Sequence, residues 1–295
     1  MTARRNKREV LLAGLHEIDL EVTLFGGQTF RWRRTGDDSA DGWIGDRPVR
    51  VTVRADGLVV SPRNSVLAGL ADAAHVYFDA GRDYGAIRTQ LDRDGKLPVT
   101  APGLRILRQP PFETAITFIA SANNNIIRIG RTIAALCDMV GSEVAADGEL
   151  RRAFPRPEQL AEVSVEQLRR DANLGYRDEY VFNAARMVAA GEIDLAALDG
   201  LTNEALRAEL CRLPGVGPKV ADCIALFGYG RMDVFPVDTW VRKAYSALYL
   251  GDDERVTDRV IGELARARFG EYAGLAQQYL FEAARRGERT QSRAR

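Results

Sequence analysis

Residues 213–238 contain a glycine-rich turn between two stretches whose apolar spacing predicts helices. Gly215 and Gly217 lie in this turn, and without side chains they let backbone N–H groups approach a phosphate closely. Pro218 suits the first turn of the second helix, because the N–H that proline lacks would have no partner there. The segment therefore predicts a helix-hairpin-helix over residues 203–227, which binds nucleic-acid phosphates without reading sequence.

A lysine and an aspartate accompany this motif. Lys219 lies at the start of the second helix, and Asp238 follows nineteen residues later, after a Gly-Tyr-Gly break and a proline. An amine can attack a sugar carbon, and a carboxylate can stabilise the positive charge that develops there. Taken one at a time, the turn would be an ordinary helix connection, the lysine a solvated residue and the aspartate an N-cap. The combination favours an enzyme that acts on DNA.

Length and composition limit the classes of protein that fit this chain. With 295 residues, 46% of them hydrophobic, one large or two small globular domains are expected. No apolar run approaches the roughly 18 residues of a membrane span, and no apolar stretch typical of a secretory signal follows the N-terminus. We therefore expect an intracellular, DNA-associated protein that is neither secreted nor bound to a membrane, and that lies in the cytoplasm or nucleoid if its source is prokaryotic.

Residues that bind metals are few. Only two histidines are present, so a zinc site is not expected. The cysteines are widely spaced, which is typical of a reducing compartment and leaves no four-cysteine loop for an iron–sulfur cluster. They are Cys137, Cys211 and Cys223. The sequence thus predicts an enzyme with no iron–sulfur cluster and no other cofactor.

The formal net charge is zero, whereas a protein that binds DNA through bulk charge is typically basic. Basic residues are concentrated at the two ends, residues 1–10 and 286–295, which we predict to be flexible tails that are either solvated or contribute to DNA binding. A protein that holds DNA through backbone N–H groups needs fewer cations. The net charge therefore does not exclude the hairpin hypothesis.

The pattern of the chain changes near residues 98–111, where prolines interrupt it. Before this point, alternation around an Asp-Gly turn predicts a hairpin over 50–60. Further elements are predicted there, namely strands at 29–34 and 42–44 and a helix at 84–92. Beyond residue 112, apolar residues recur at helical spacing. The predicted helices are 113–121, 124–139, 158–170, 179–190, 203–211, 218–227, 239–249, 256–268 and 272–285.

Four further segments carry a family resemblance. They are Phe25–Trp32, Phe118–Arg128, Leu174–Tyr180 and Tyr272–Phe281. With the hairpin and its trailing Asp238, they resemble the 8-oxoguanine DNA glycosylase branch of the helix-hairpin-helix (HhH-GPD) superfamily, in the family's order from about residue 11 to residue 285. The fold class implied is α+β, a mostly helical catalytic region (112–285) with a small N-terminal antiparallel sheet domain (11–111).

The resemblance implies a function. A bifunctional base excision repair enzyme would flip 8-oxoguanine from damaged double-stranded DNA, preferably opposite cytosine, and would act as a monomer. Lys219 would be the nucleophile, and the Schiff base that it forms makes β-elimination, the AP lyase step, accessible. Asp238 would stabilise the oxocarbenium-like sugar. The carbonyl of Gly27 would accept from N7–H of 8-oxoguanine and repel N7 of guanine, although Gly27 alone would be read as a turn residue.

The remaining base contacts are implied in the same way. Cys223, one turn after Lys219, and Phe281 would lie against opposite faces of the flipped base, and Gln277 would bond its Watson–Crick edge. Without the resemblance, Cys223 and Phe281 would be assigned to the core. One position departs from the family pattern, since Trp240 stands where a histidine is common, and we expect it to alter affinity and not chemistry.

Four more residues would contact the strand opposite the lesion. Asn123 would enter the space left by the extruded base, and Tyr176 would lie beside it. Arg128 and Arg177 would read the opposite cytosine, although an arginine on a helix is usually surface charge. Two competing functions are an alkylbase glycosylase, which would not need Lys219, and a non-catalytic helix-hairpin-helix module, which would need neither Lys219 nor a base pocket.

Overall fold

The N-terminal part of the chain is built on an antiparallel sheet. The computed structural model describes residues 3–6, 9–251 and 256–293. The six strands are β1 (Ala3–Asn6), β2 (Glu9–Ala13), β3 (Arg33–Gly36), β4 (Ser39–Ile44), β5 (Arg47–Arg54) and β6 (Gly57–Pro62). Their order across the sheet is β1-β2-β6-β5-β4-β3. The hairpin predicted over 50–60 is confirmed, because Arg54 pairs with Gly57 across a two-residue turn.

Helices make up most of the remaining chain. Three belong to the N-terminal part, namely α1 (Leu20–Phe25), α2 (Leu70–Tyr77) and α3 (Tyr84–Leu91). The others are α4 (Pro111–Ser121), α5 (Ile126–Val140), α6 (Pro157–Ala161), α7 (Val165–Asp171), α8 (Asp178–Ala189), α9 (Asn203–Leu210), α10 (Pro218–Tyr229), α11 (Thr239–Tyr245), α12 (Asp258–Phe269) and α13 (Ala273–Arg293). A short hairpin of β7 (Glu143–Ala146) and β8 (Glu149–Arg152) lies between α5 and α6. In the described ranges, no helix combines the length and hydrophobicity that crossing a bilayer requires.

Several predicted elements need correction. The strand predicted at 29–34 begins only at Arg33, because the segment before it is a loop around the buried side chain of Gln28. The helix predicted at 158–170 is two helices, since Ser164 caps the second one by accepting from the backbone N–H of Gln167. Helices α1 and α2 and the β7–β8 hairpin were not predicted. Their apolar segments are too short to show a clear period.

The predicted terminal tails also differ from the structure. Ala3–Asn6 forms an edge strand paired with β2, and α13 continues to Arg293. A basic edge strand has no apolar alternation, so its sequence resembles a tail. Residues 1–2, 7–8 and 294–295 of the predicted tails lie outside the described residues.

The residues that the structure describes form two apolar cores. One joins the sheet to α1 and α2, and the other lies among the helices. Helix α3 contributes Tyr84, Ile87 and Leu91 to the helical core, although it precedes the proline-rich segment. The two parts are also joined by a buried ion pair between Arg31 and Glu113, whose charged atoms lie 2.8 Å apart. Burial raises the pKa of Glu113, and the adjacent guanidinium opposes that shift.

We expect Glu113→Ala to destabilise the protein strongly. The substitution leaves the guanidinium of Arg31 buried without its carboxylate, which costs about 3–5 kcal/mol. Glu263→Ala is the matched control, because Glu263 pairs with Arg259 on the exposed surface and such pairs contribute roughly 0–1 kcal/mol. Urea unfolding of both variants measures the difference. Equal, small losses would show that the buried pair does not hold the two parts together.

Candidate functional site

The helix-hairpin-helix is formed by α9 and α10 and the turn between them, as predicted. Gly215 has φ +79°, and a Cβ added there would lie 2.9 Å from Cδ2 of Tyr180. Both the backbone conformation and the ring beside it therefore require glycine. Gly217 is the N-cap of α10, exposed and extended, and Pro218 begins the helix. The turn thus presents the N-terminus of α10 to solvent.

Lys219 and Cys223 lie one turn apart on α10 and face the same cavity. The lysine Nζ is 5.9 Å from the ring centroid of Phe118, which stacks on Phe227 with a centroid separation of 5.3 Å. Cys223 is buried, and burial raises the pKa of its thiol to about 11, although the charge of Lys219 opposes this shift. The amine therefore faces the cavity near an aromatic ring and a buried thiol.

Asp238 caps α11 and also lines this cavity. Its Oδ1 accepts a hydrogen bond of 2.8 Å from the backbone N–H of Val241. Burial raises the pKa of the carboxyl group, while this hydrogen bond and the positive charge of Lys219 oppose the shift. The capping role and the position beside the lysine therefore coexist in one side chain.

The cavity has a volume of about 430 Å³, within the range of small-molecule sites. All six residues proposed for catalysis and base binding line it. They are Gly27, Lys219, Cys223, Asp238, Gln277 and Phe281. The structure therefore brings together residues that are up to 254 positions apart in the sequence. This convergence is the geometry that a pocket for a flipped base requires.

Gly27 lies on one wall of the cavity with φ +103°. A Cβ at this position would lie 3.2 Å from Cδ1 of Ile126 and 3.9 Å from the ring of Phe281. The positive φ, together with the tight contact that a Cβ would make with Ile126, explains why glycine is favoured here. The next side chain, Gln28, holds this wall in place, because its amide donates to the carbonyl of Arg105 at 2.7 Å and accepts from the N–H of Leu107 at 3.0 Å.

Gln277 and Phe281 lie one turn apart on α13 and form the opposite wall. Gln277 is buried, and its Oε1 accepts a hydrogen bond of 2.7 Å from Nε2 of Gln278. Phe281 is partly exposed to the cavity. An amide and an aromatic ring therefore face the same space, one able to form hydrogen bonds and the other able to stack.

The residues proposed for the opposite strand come from the loop at Asn123, from the first turn of α5 and from a short 3-10 helix, Gly175–Arg177. Asn123 has φ +48°, and its side-chain amide lies 3.4 Å from the hydroxyl of Tyr176. Arg128 is exposed on α5. Arg177 is buried, and its guanidinium donates to the carbonyls of Ala122 and Asn123 and lies 4.4 Å from the ring centroid of Tyr176. Arg177 therefore supports the loop in this structure, a role that the sequence did not indicate.

Other residues of the cavity were not predicted. They include Phe30, Phe118, Trp240, Gln278 and Arg285. Phe30 and Phe118 belong to segments that carry the family resemblance, so their position in those segments was an available signal. Arg285 follows Phe281 by one helical turn, which places it on the same face of α13. Trp240 was identified only as a departure from the family pattern, and the structure places it at the cavity wall.

A cavity in which an amine and a carboxylate meet beside a helix-hairpin-helix defines the class of helix-hairpin-helix DNA glycosylases. Family models agree, since residues 116–267 match the HhH-GPD superfamily of base excision DNA repair proteins and residues 10–115 match the N-terminal domain of 8-oxoguanine DNA glycosylase. The chain therefore belongs to the 8-oxoguanine DNA glycosylase family of this superfamily.

Individual relatives support this assignment. A probable N-glycosylase/DNA lyase of Methanothermobacter thermautotrophicus is 35% identical over 92% of this chain and 94% of its own. The structure of MBOgg1 with a low-affinity DNA ligand is 36% identical, with a TM-score of 0.91 over 97% of this chain and 99% of that chain. The Clostridium acetobutylicum 8-oxoguanine glycosylase/lyase, bound to double-stranded DNA with cytosine opposite 8-oxoG, is 33% identical, with a TM-score of 0.90 over 98% and 99% of the two chains. The predicted fold class, family and enzyme class, a DNA N-glycosylase and lyase, are confirmed.

Substitution of the two hairpin glycines should give different results. We expect Gly215→Ala to lower the free energy of unfolding by about 1–2 kcal/mol, because alanine is strained at positive φ and would contact Tyr180. Gly217→Ala should change it by less than about 0.5 kcal/mol, since a Cβ there meets no atom of the described residues within 4 Å. Urea unfolding measures both. A Gly217 variant as unstable as the Gly215 variant would contradict this account of the turn.

Proposed function

We propose that this protein excises 8-oxoguanine from duplex DNA through a covalent Schiff-base intermediate on Lys219, prefers cytosine opposite the lesion, and cleaves the resulting abasic site by β-elimination. The observation that carries the proposal is the meeting of Lys219 and Asp238 in one cavity with the base-binding residues. An alkylbase glycosylase would not require a lysine in the cavity. A non-catalytic DNA-binding module would require neither this lysine nor a cavity for a base.

The flipped base occupies the cavity in this proposal. Its faces contact Cys223 and Phe281, and its Watson–Crick edge bonds Gln277. The carbonyl of Gly27 accepts a hydrogen bond from N7–H, which 8-oxoguanine has and guanine lacks. One well-placed polar contact of this kind provides about 1–3 kcal/mol of discrimination. Support comes from the position of Gly27 in the lining of the same cavity as Gln277 and Phe281.

The chemistry begins when the uncharged amine of Lys219 attacks C1′ of the sugar. The bond between C1′ and the base breaks, its electron pair leaves with the base, and the base takes up the proton that the attacking amine releases. The carboxylate of Asp238 stabilises the positive charge at C1′ during this step. Ring opening then gives a Schiff base, the carboxylate of Asp238 accepts a proton from C2′, and the 3′ phosphate leaves by β-elimination. The amine and the carboxylate suffice for these steps, so we propose that no metal or other cofactor takes part.

DNA contacts complete the proposal. The hairpin around Gly215 and Gly217 would bind backbone phosphates through its N–H groups. Asn123 and Tyr176 would fill the space left by the flipped base, and the exposed Arg128 would contact the opposite cytosine. Arg177 would support the same loop and join that contact once DNA is bound. We propose that one monomer carries all of these residues and is active alone.

Borohydride trapping tests this function. Purified protein should excise 8-oxoguanine from a duplex in the presence of EDTA and should become covalently attached to the DNA when borohydride reduces the imine. Lys219→Gln should bind the same duplex but neither excise nor become trapped, because an amide is not a nucleophile. Lys243→Gln, which alters another lysine located on α11, is the control and should behave as wild type. Excision by the Lys219 variant would refute the mechanism.

Asp238→Asn should separate catalysis from stability. Since burial raises the pKa of Asp238, the folded protein binds this proton more tightly than the unfolded chain does, and ionised Asp238 opposes folding at neutral pH. Asparagine still caps α11 and removes that charge. We expect an equal or higher melting temperature and single-turnover excision slower by about 10²-fold or more. If the melting temperature and the excision rate both fell, the result would indicate that Asp238 has only a structural role.

Arg128→Ala should weaken the preference for cytosine opposite the lesion. A bidentate arginine contact to a base edge contributes about 1–3 kcal/mol, so the cytosine-to-adenine ratio of excision rates should fall by about tenfold. Stability should not change, because the side chain is exposed. Arg177→Ala should lower stability as well, since its guanidinium bonds the loop carbonyls. An unchanged ratio in the Arg128 variant would remove this residue from the proposed recognition.

A further inference from the structure

Arg285 lines the cavity where α13 approaches the turn that follows α1. The residue is 8% exposed. Its Nη1 donates to the carbonyl of Gly26 at 3.3 Å and to the carbonyl of Phe25 at 3.4 Å. These contacts join positions 259 and 260 residues apart. The peptide that links Gly26 to Gly27 is therefore bonded to the last described helix.

The same guanidinium is fixed from its other side. Glu282, which is 3% exposed, forms an ion pair with Arg285 at 2.9 Å and a second one with Arg286 at 2.8 Å. The guanidinium carbon of Arg285 also lies 5.9 Å from the ring centroid of Phe281. Arg285 therefore contacts the turn on one wall of the cavity and lies near the ring on the other.

This arrangement matters because the turn contains two consecutive glycines. Glycine has the widest range of backbone conformations, so the direction of the Gly27 carbonyl is not fixed by its own residue. A hydrogen bond to the carbonyl of Gly26 fixes the plane of the peptide before Gly27. Gln28 fixes the residue after it through its buried amide. The direction of the Gly27 carbonyl is thus determined from both sides.

We propose that Arg285 is a positioning residue for base discrimination: by bonding the carbonyls of Phe25 and Gly26, it fixes the direction of the Gly27 carbonyl and its distance from Phe281. The inference rests on the proposed function, because it concerns the group that would distinguish 8-oxoguanine from guanine. Arg285 takes no part in the attack by Lys219. Its removal should therefore affect recognition of the base more than cleavage of a site that has no base.

The test compares three proteins. Arg285→Met removes the donors and keeps an unbranched apolar chain. Arg286→Met is the matched control, because Arg286 pairs with the same Glu282 and donates to the carbonyl of Thr100. Arg285→Met leaves the buried carboxylate of Glu282 with one partner fewer, which could destabilise the fold. The double variant Glu282→Gln with Arg285→Met removes that buried charge and so keeps the test valid. Each is made both alone and with Lys219→Gln, which permits binding measurements without excision.

Two readouts distinguish positioning from general stability. In the Lys219→Gln background, the ratio of Kd values for duplexes with guanine and with 8-oxoguanine should fall by about tenfold in both Arg285 variants, the size expected when one polar contact is misplaced. With Lys219 present, the ratio of 8-oxoguanine excision to cleavage at a preformed abasic site should fall by a similar factor. The Arg286 control should match the parent protein in both ratios.

The outcomes separate the inference from the function on which it rests. If the unsubstituted protein does not excise 8-oxoguanine, the proposed function fails and the inference with it. If the unsubstituted protein excises the lesion but the Arg285 variants keep both ratios, the inference alone is overturned. An equal loss of excision and abasic-site cleavage would also overturn it, since that result indicates only a structural role for Arg285.

Discussion

The buried amide of Gln28 is the contact on which the arrangement of the site depends. Its nitrogen donates to the carbonyl of Arg105 and its oxygen accepts from the N–H of Leu107, while the backbone carbonyl of Gln28 accepts from the side chain of Gln109. Burying an amide without hydrogen-bond partners costs several kcal/mol of folding free energy. The partners of Gln28 therefore hold the segment in this position. That position places Gly27 near Phe281, and the cavity that we propose for the flipped base is lined by these two distant parts of the chain.

The catalytic pair depends on helix ends in a similar way. Lys219 lies in the first turn of α10 and Asp238 is the N-cap of α11, so both helices begin at the cavity. A helix N-terminus carries partial positive charge, which favours the carboxylate of Asp238. The carboxylate is also held by the N–H of Val241. The fold therefore determines the direction of the Asp238 side chain. The hydrogen bond that caps α11 also aligns the carboxylate that we propose to act in catalysis.

The sequence predicted most of this site, because glycines, prolines and caps act locally. The hairpin, the helices after residue 112 and the six cavity residues follow from such signals together with the family resemblance. The failures share a physical cause. The loop at 29–32 alternates like a strand but is bent by the buried Gln28, and the division at Ser164 interrupts a continuous helical period. The loop carbonyls to which Arg177 and Arg285 donate lie 54 to 260 positions away in the sequence. No local sequence pattern contains that information.

The position of α13 in the chain has a consequence for how activity appears during synthesis. A ribosome completes Lys219 and Asp238 well before it completes Gln277, Phe281 and Arg285. Until α13 has folded against the turn at Gly26, a nascent chain holds the reactive groups but has only one wall of the base pocket. Under the proposed function, the wall that carries Gln277 and Phe281 is thus added last, so an incomplete chain would lack the amide and the ring that would hold a flipped base beside Lys219. Chain order would therefore complete the proposed base contacts only after the proposed nucleophile and carboxylate have been made.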